Sequence, residues 1–191
     1  MPRTPSRPAL LAEAQDRFIA AWGQMGSAWG ISRTMAEVYA LLYISGDPLN
    51  TDDIMDRLRI SRGNASMSLR ALLEWGIVQR SHKRGDRKEY FQAEQDVWAM
   101  FRAIVRERMK REVDPLLASL YEIRDLVDRP APRKGRAPDA EPELDQAVAD
   151  HTRRLDAMVD FLATLESLSA RFISPSGPGL QLAATLLKSA S

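Results

Sequence analysis

The sequence predicts a mainly α fold carrying one small β-hairpin, and three observations predict it. From Pro48 to Gln92 a short helix, a tight turn, a second helix and two strands around a basic tip follow one another. Long stretches on either side repeat apolar residues at helical spacing. Basic charge gathers on the central segment: Arg62, Arg70, Arg80, Lys83, Arg84, Arg87 and Lys88 stand against only Glu74, Asp86 and Glu89 between Ser61 and Gln92. That order of parts is a winged helix-turn-helix, a shape that lays one helix in the major groove of DNA.

The totals leave room for this reading and exclude others. At 191 residues, 45% hydrophobic and 28% charged, the chain can bury one domain with an appended helical part. Net charge is only +1, so the basic central segment is balanced by an acidic remainder. No cysteine is present, which removes disulfides and thiolate chemistry and suits a reducing cytoplasm. With His82 and His151 the only histidines, no metal site is expected. No apolar run reaches the roughly 20 residues of a membrane span, and Glu13 interrupts any signal-like stretch near the basic N-terminus.

Taken in order, Pro2, Pro5 and Pro8 keep the first residues irregular. A helix is expected from about Ala9, with Leu11, Phe18, Trp22, Met25 and Trp29 near one face, ended by Gly26 and Gly30. Ser32 caps a helix to about Ile44 that buries Met35, Val38, Leu41 and Leu42. Gly46-Asp47-Pro48 forces a turn. Asn50 caps the next helix, with Asp53 at its third position and Leu49 and Ile54 as a hydrophobic staple, ending near Arg59. Ser61 caps the following helix to about Trp75, with Ala65, Leu69, Leu72 and Leu73 inward and Gly76 as the stop. Residues 77–81 and 88–92 read as strands joined at Arg84-Gly85-Asp86, where Gly85 supplies the positive φ of a tight turn.

A long helical pattern then runs from about Gln95 to Val127, with a kink or break expected at Asp114-Pro115. Residues 129–142 hold four prolines and a glycine among charges and read as an exposed linker. Beyond it Leu144, Val148, His151, Leu155, Met158, Leu162 and Leu165 form a two-position heptad seam. A helix so patterned packs on another helix, in this chain or in a second copy. A short helix from Leu180 to Lys188 completes the reading.

A recognition helix needs one face buried and the other able to meet base edges. With Ala65, Leu69 and Leu72 inside, Ser61, Arg62, Gly63, Asn64, Ser66, Met67 and Arg70 face outward. Arginine pairs with guanine O6 and N7, asparagine with adenine N6 and N7, and serine with either. Gly63 permits close backbone approach, and a helix N-terminus favours phosphate; Asn64 can equally serve as a local capping partner. At the hairpin tip Arg84 and Arg87 suit a narrow minor groove, while Lys83 and Lys88 suit phosphates and carry salt dependence more than sequence choice.

The run SRGNASMSLRALLEWGIV, followed by KRGDRKEYF, resembles the GbsR-type branch of the MarR-like winged-helix regulators, as do GISRTMAEVYALLYISGDPLN upstream and REVDPLL around Pro115. The resemblance covers roughly Phe18 to Tyr121. It departs at Ser32, where relatives often carry proline, and from the linker onward, where nothing matches. It implies a homodimeric repressor on double-stranded DNA, with one recognition helix and one wing per half-site. Domains follow as an N-terminal dimerisation helix (1–30), the winged helix-turn-helix DNA-binding domain (31–93), long dimerisation helices (94–128), the linker (129–142) and a C-terminal helical extension (143–191). The best-known members sense choline, and Trp22, Trp29, Tyr39 and Trp98 are candidates for an aromatic cage around a quaternary ammonium effector. The same aromatics can simply fill a core and a dimer contact.

Two rival classes remain. No phosphate loop, dinucleotide fingerprint, metal-ligand spacing or nucleophile elbow is present, so no catalytic residue, cofactor or enzymatic activity is expected. A winged helix can also serve as a protein-protein interaction module without DNA binding; retention on DNA that falls steeply with salt separates the two.

Overall fold

The computed structural model describes residues 6–128 and 142–174. The expected irregular start at Pro2 and Pro5, the body of the linker and the helix at Leu180–Lys188 lie outside these residues. The described residues fall into two compact units, divided between Ala103 and Ile104.

In the first unit, α1 (Arg7–Ala28) begins earlier than expected. Pro8 sits in its first turn, where the missing N–H has no intrahelical partner to lose. Gly23 and Gly26 are buried on the face packed against α2 (Arg33–Ser45). Leu11, expected on the apolar face, is 62% exposed. Ser32 Oγ caps α2 by accepting from the Met35 N–H at 3.5 Å, and α2 buries seven residues from Met35 to Leu42. Val38 and Leu42 are fully enclosed, with Ile54, Leu72 and Val78 from three other elements. This centre holds the helix-turn-helix and the sheet on one scaffold.

The helix-turn-helix consists of α3 (Thr51–Leu58) and α4 (Arg62–Glu74). Asn50 Oδ1 accepts from the N–H groups of Asp52 and Asp53 at 2.9 and 3.1 Å, and the Asp53 carboxylate accepts from the Asn50 N–H at 3.0 Å. This reciprocal cap starts α3 where the sequence placed it. Arg59 ends α3 in the left-handed region, φ 53°. Ser61 Oγ then caps α4 by accepting from the Asn64 N–H at 3.2 Å. Gly76, φ 73°, turns the chain into the sheet.

That sheet has three strands rather than two. β2 (Val78–His82) and β3 (Glu89–Ala93) form the hairpin, each one residue later than expected. β1 (Leu49–Asn50) adds to the outer side of β3 in the order β1-β3-β2, all antiparallel, with Leu49 opposite Phe91 and Asn50 opposite Tyr90. Two extended residues carry no alternation, and their partners, Phe91 and Tyr90, lie far along the chain.

α5 (Val97–Arg108) crosses the boundary between the units. In the second unit the break expected near Pro115 is a π-helical turn, Met109–Val113, after which Asp114 opens α6 (Asp114–Asp128). The Asp114 N–H reaches back to the Met109 carbonyl, which passes the chain smoothly to a residue with no N–H to give. α7 (Pro142–Ile173) packs on α6 and the π-turn around Leu117, Val159 and Leu162. The expected seam holds at Leu162, but Val159 takes the buried place given to Met158, which is 49% exposed. Val159 and Leu162, three positions apart, lie on one face of α7 toward α6.

The pair Arg124–Asp156 and the cleft that brings Met109 and Lys110 beside Ala170 and Ile173 make α6 and α7 antiparallel. Asp128 then lies opposite about residue 152, and α7 before that point runs past the end of α6. Leu144, Val148 and His151 fall on this overhang and are exposed, the remaining correction to the seam.

Candidate nucleic-acid interface

The outer face of α4 forms the centre of the site. Ala65, Ser68, Leu69 and Leu72 are buried on the inner face, at spacings of three and four. That burial fixes the helix rotation and leaves Ser61, Arg62, Gly63, Asn64, Ser66, Met67 and Arg70 all exposed. Leu73, expected inward, is half-buried. Met67 is 64% exposed, an apolar side chain in the middle of a polar face, able to meet a thymine methyl. Among the described residues Arg70 has no ion-pair partner.

The wing supplies the second part. Gly85, φ 87°, turns the hairpin, and Lys83, Arg84, Arg87 and Lys88 are all exposed on it. Asp86 organises this tip. Its carboxylate accepts from the Lys88 N–H at 2.9 Å and from the Tyr90 hydroxyl at 2.6 Å. The Tyr90 hydrogen bond holds the Asp86 carboxyl below its ordinary range and pushes the Tyr90 hydroxyl above its own. Lys83 Nζ lies 4.3 Å above the Tyr90 ring, a cation–π contact that gives the lysine a defined place. Arg80 and Glu89 pair across the two strands at 2.9 Å. His82, at the end of β2, is exposed.

One acid bridges helix and wing. Asp52, in the first turn of α3, accepts from Arg62 Nη2 at 2.6 Å and lies 3.4 Å from Lys88 Nζ. Arg62 first, then Lys88, holds its carboxyl below the ordinary carboxylate range. Asp52, Tyr90 and the organising role of Asp86 at the tip were not legible in the sequence. Acids within a basic stretch were the available signal, but their partners are set by the fold.

The aromatic residues separate into two groups. Phe18, Trp22, Tyr39 and Tyr43 form a closed circuit of ring contacts with centroids 5.7 to 6.3 Å apart. With Val97 and Met100 they line a cavity of about 160 Å³. The Tyr39 hydroxyl donates to the Glu94 carbonyl, just after β3, at 3.2 Å, and burial pushes its pKa upward. Of the four candidate cage residues, Trp22 and Tyr39 line this cavity. Trp29, 41% exposed at the end of α1, and Trp98, half-buried in α5, are not among the cavity's lining residues. Among the described residues no group of His, Asp or Glu could hold a metal ion, and no helix is long and apolar enough to cross a membrane.

Residues 29–89, from the end of α1 to the first residue of β3, match the MarR family profile. This segment, about a third of the chain, is thus similar to MarR-family domains. The chain is 25% identical over 114 residues to the HTH-type transcriptional repressor GbsR of Bacillus subtilis (strain 168), covering 60% of this chain and 63% of that one. It is 24% identical over 92 residues to the putative HTH-type transcriptional regulator YvaV of the same organism, covering 48% and 52%. A third relative there, the HTH-type transcriptional repressor OpcR, is 21% identical over 141 residues, covering 72% and 74%. The chain therefore spans between half and two-thirds of the length of the first two relatives. A crystal structure of a transcriptional regulator superposes with a TM-score of 0.52 at 22% identity, covering 84% of this chain and 95% of that one, so the two share a fold.

Proposed function

We propose that this chain is a sequence-specific transcriptional regulator of the GbsR-type branch that binds duplex DNA as a homodimer and represses. The reading is carried by one observation: Ala65, Leu69 and Leu72 lock α4 into the core while Arg62, Asn64, Ser66 and Arg70 stand exposed on its other side. A rigid helix with base-reading side chains, flanked by a cationic wing, is what major-groove recognition requires. The relatives named as transcriptional repressors support the repressor assignment. Exposed apolar residues on α6 and α7, including Leu126, Leu144, Val148 and Phe161, support a second copy as partner. Two recognition helices then address an inverted repeat with half-sites about one helical turn apart.

An effector fits the cavity of Phe18, Trp22, Tyr39 and Tyr43 rather than all four residues first singled out. Its rings suit a small cation such as a quaternary ammonium compound. Occupancy would act on the wing through the Tyr39–Glu94 hydrogen bond. Such a regulator works in the cytoplasm, on chromosomal DNA. The test is selection from a random duplex pool followed by sequencing. A symmetric selected site supports the dimeric reader, and failure to enrich any sequence overturns it. Tetramethylammonium titrated against the bound complex then tests the effector, with release expected and lost in Trp22→Ala.

A further inference from the structure

The proposed DNA-facing surface contains an acid that its own cationic neighbours favour but that a phosphate backbone would repel. Asp52 stands between the first residue of α4 and the residue preceding β3, with Arg62 at 2.6 Å and Lys88 at 3.4 Å. A carboxylate there repels phosphate and lowers affinity for every duplex. It adds little to folding stability, because the side chains of Asp52, Arg62 and Lys88 are 46%, 65% and 54% exposed. Its position nevertheless joins three elements that the chain brings together only in the fold: α3, the start of α4 and the wing.

We propose that Asp52 is a positioning residue that sets sequence choice, by holding Arg62 for a base edge and keeping the wing in register with α4. The inference rests on the DNA-binding reading above. Arginine carries five N–H donors in a rigid fork, so the donation through Nη2 to Asp52 leaves others for a base. An arginine already held in place loses less freedom when it meets guanine. Released, Arg62 swings to the nearest phosphate, which strengthens binding to any sequence and weakens the preference for one. Lys88 is fixed twice, by its side chain to Asp52 and by its N–H to Asp86, so the wing tip moves with α3.

The test compares affinities for the selected operator and for a shuffled duplex across wild type, Asp52→Ala, Arg62→Ala and the double variant. In Asp52→Ala the operator-to-shuffled ratio should fall about tenfold, the scale of one base contact, with shuffled binding unchanged or tighter. In the Arg62→Ala background the same change should move the ratio less than about twofold, since the two residues act as a unit. Asp52→Glu should recover part of the ratio. If Asp52→Ala melts early, Asp52→Asn, of the same shape, carries the comparison. Equal tightening on both duplexes makes Asp52 a mere charge brake and overturns the proposal, as does an undiminished effect without Arg62. Failure of wild type to prefer its operator shows in the wild-type curves before any variant, and overturns the DNA-reading itself.

Discussion

Gly26 of α1 lies so close to α2 that a Cβ built on it would stand 2.6 Å from the Cβ of Ala36. Neither atom can swing away: both belong to the backbone-fixed part of the side chain, and Ala36 is 5% exposed. Gly23, one turn earlier, meets the Cγ of Glu37 at 2.6 Å, but that side chain can change rotamer. Overpacking costs roughly 1–3 kcal/mol, against a gain of about 1 kcal/mol for alanine over glycine inside a helix. Gly26→Ala should therefore lose net stability and Gly23→Ala should be near neutral, as urea midpoints will show.

On α4, Arg70→Ala and Asn64→Ala should each weaken operator binding by about 1–3 kcal/mol and relax choice at one base pair. The check is binding to a panel of single-base operator variants. An Arg70→Ala protein that binds operator and random duplex as before would place this helix elsewhere.

The wing should behave differently. Lys83 rests on the Tyr90 ring and is exposed at the wing tip; if it meets a phosphate of a bound duplex, Lys83→Ala should weaken all duplexes alike and reduce the slope of log K against log salt by about one. Anisotropy titrations at several salt concentrations measure that slope directly.

Acid and base should both loosen the wing tip. The Asp86 carboxyl is held below its unfolded pKa, so its contribution is present above that value and lost as pH falls through the folded one. The Tyr90 hydroxyl is held above its unfolded pKa, so its contribution is present below that value and lost as pH rises through the folded one. The hairpin should be most ordered between the ordinary carboxylate and tyrosine ranges. In Tyr90→Phe the Asp86 carboxyl should titrate closer to its ordinary value of 3.8, read from its carboxyl carbon resonance.

Local chemistry made much of this legible in advance. Ser32, Asn50 and Ser61 each cap the helix assigned to them, because a cap depends on neighbours within three positions. The exposed face of α4 followed from the spacing of Ala65, Leu69 and Leu72. What escaped depends on distance along the chain. Leu49 and Asn50 become a strand only because Tyr90 and Phe91 arrive beside them. Asp52 becomes a bridge only because Arg62 and Lys88 converge on it. Trp29 and Trp98 share a residue type with Trp22 but not its neighbours, and composition cannot tell them apart.

Arg59 holds the turn between α3 and α4 at φ 53°, a conformation in which most helices that end this way carry glycine. Steric crowding between a side chain and the following carbonyl disfavours it by about 1–2 kcal/mol, part of which glycine would give back through its looser unfolded chain. The turn between these two helices is thus kept off its thermodynamic optimum by an exposed cation. Arg59→Gly should melt at a higher temperature yet grip polyanions less firmly, as scanning calorimetry and heparin elution would reveal together. In this loop, robustness has been ceded for charge.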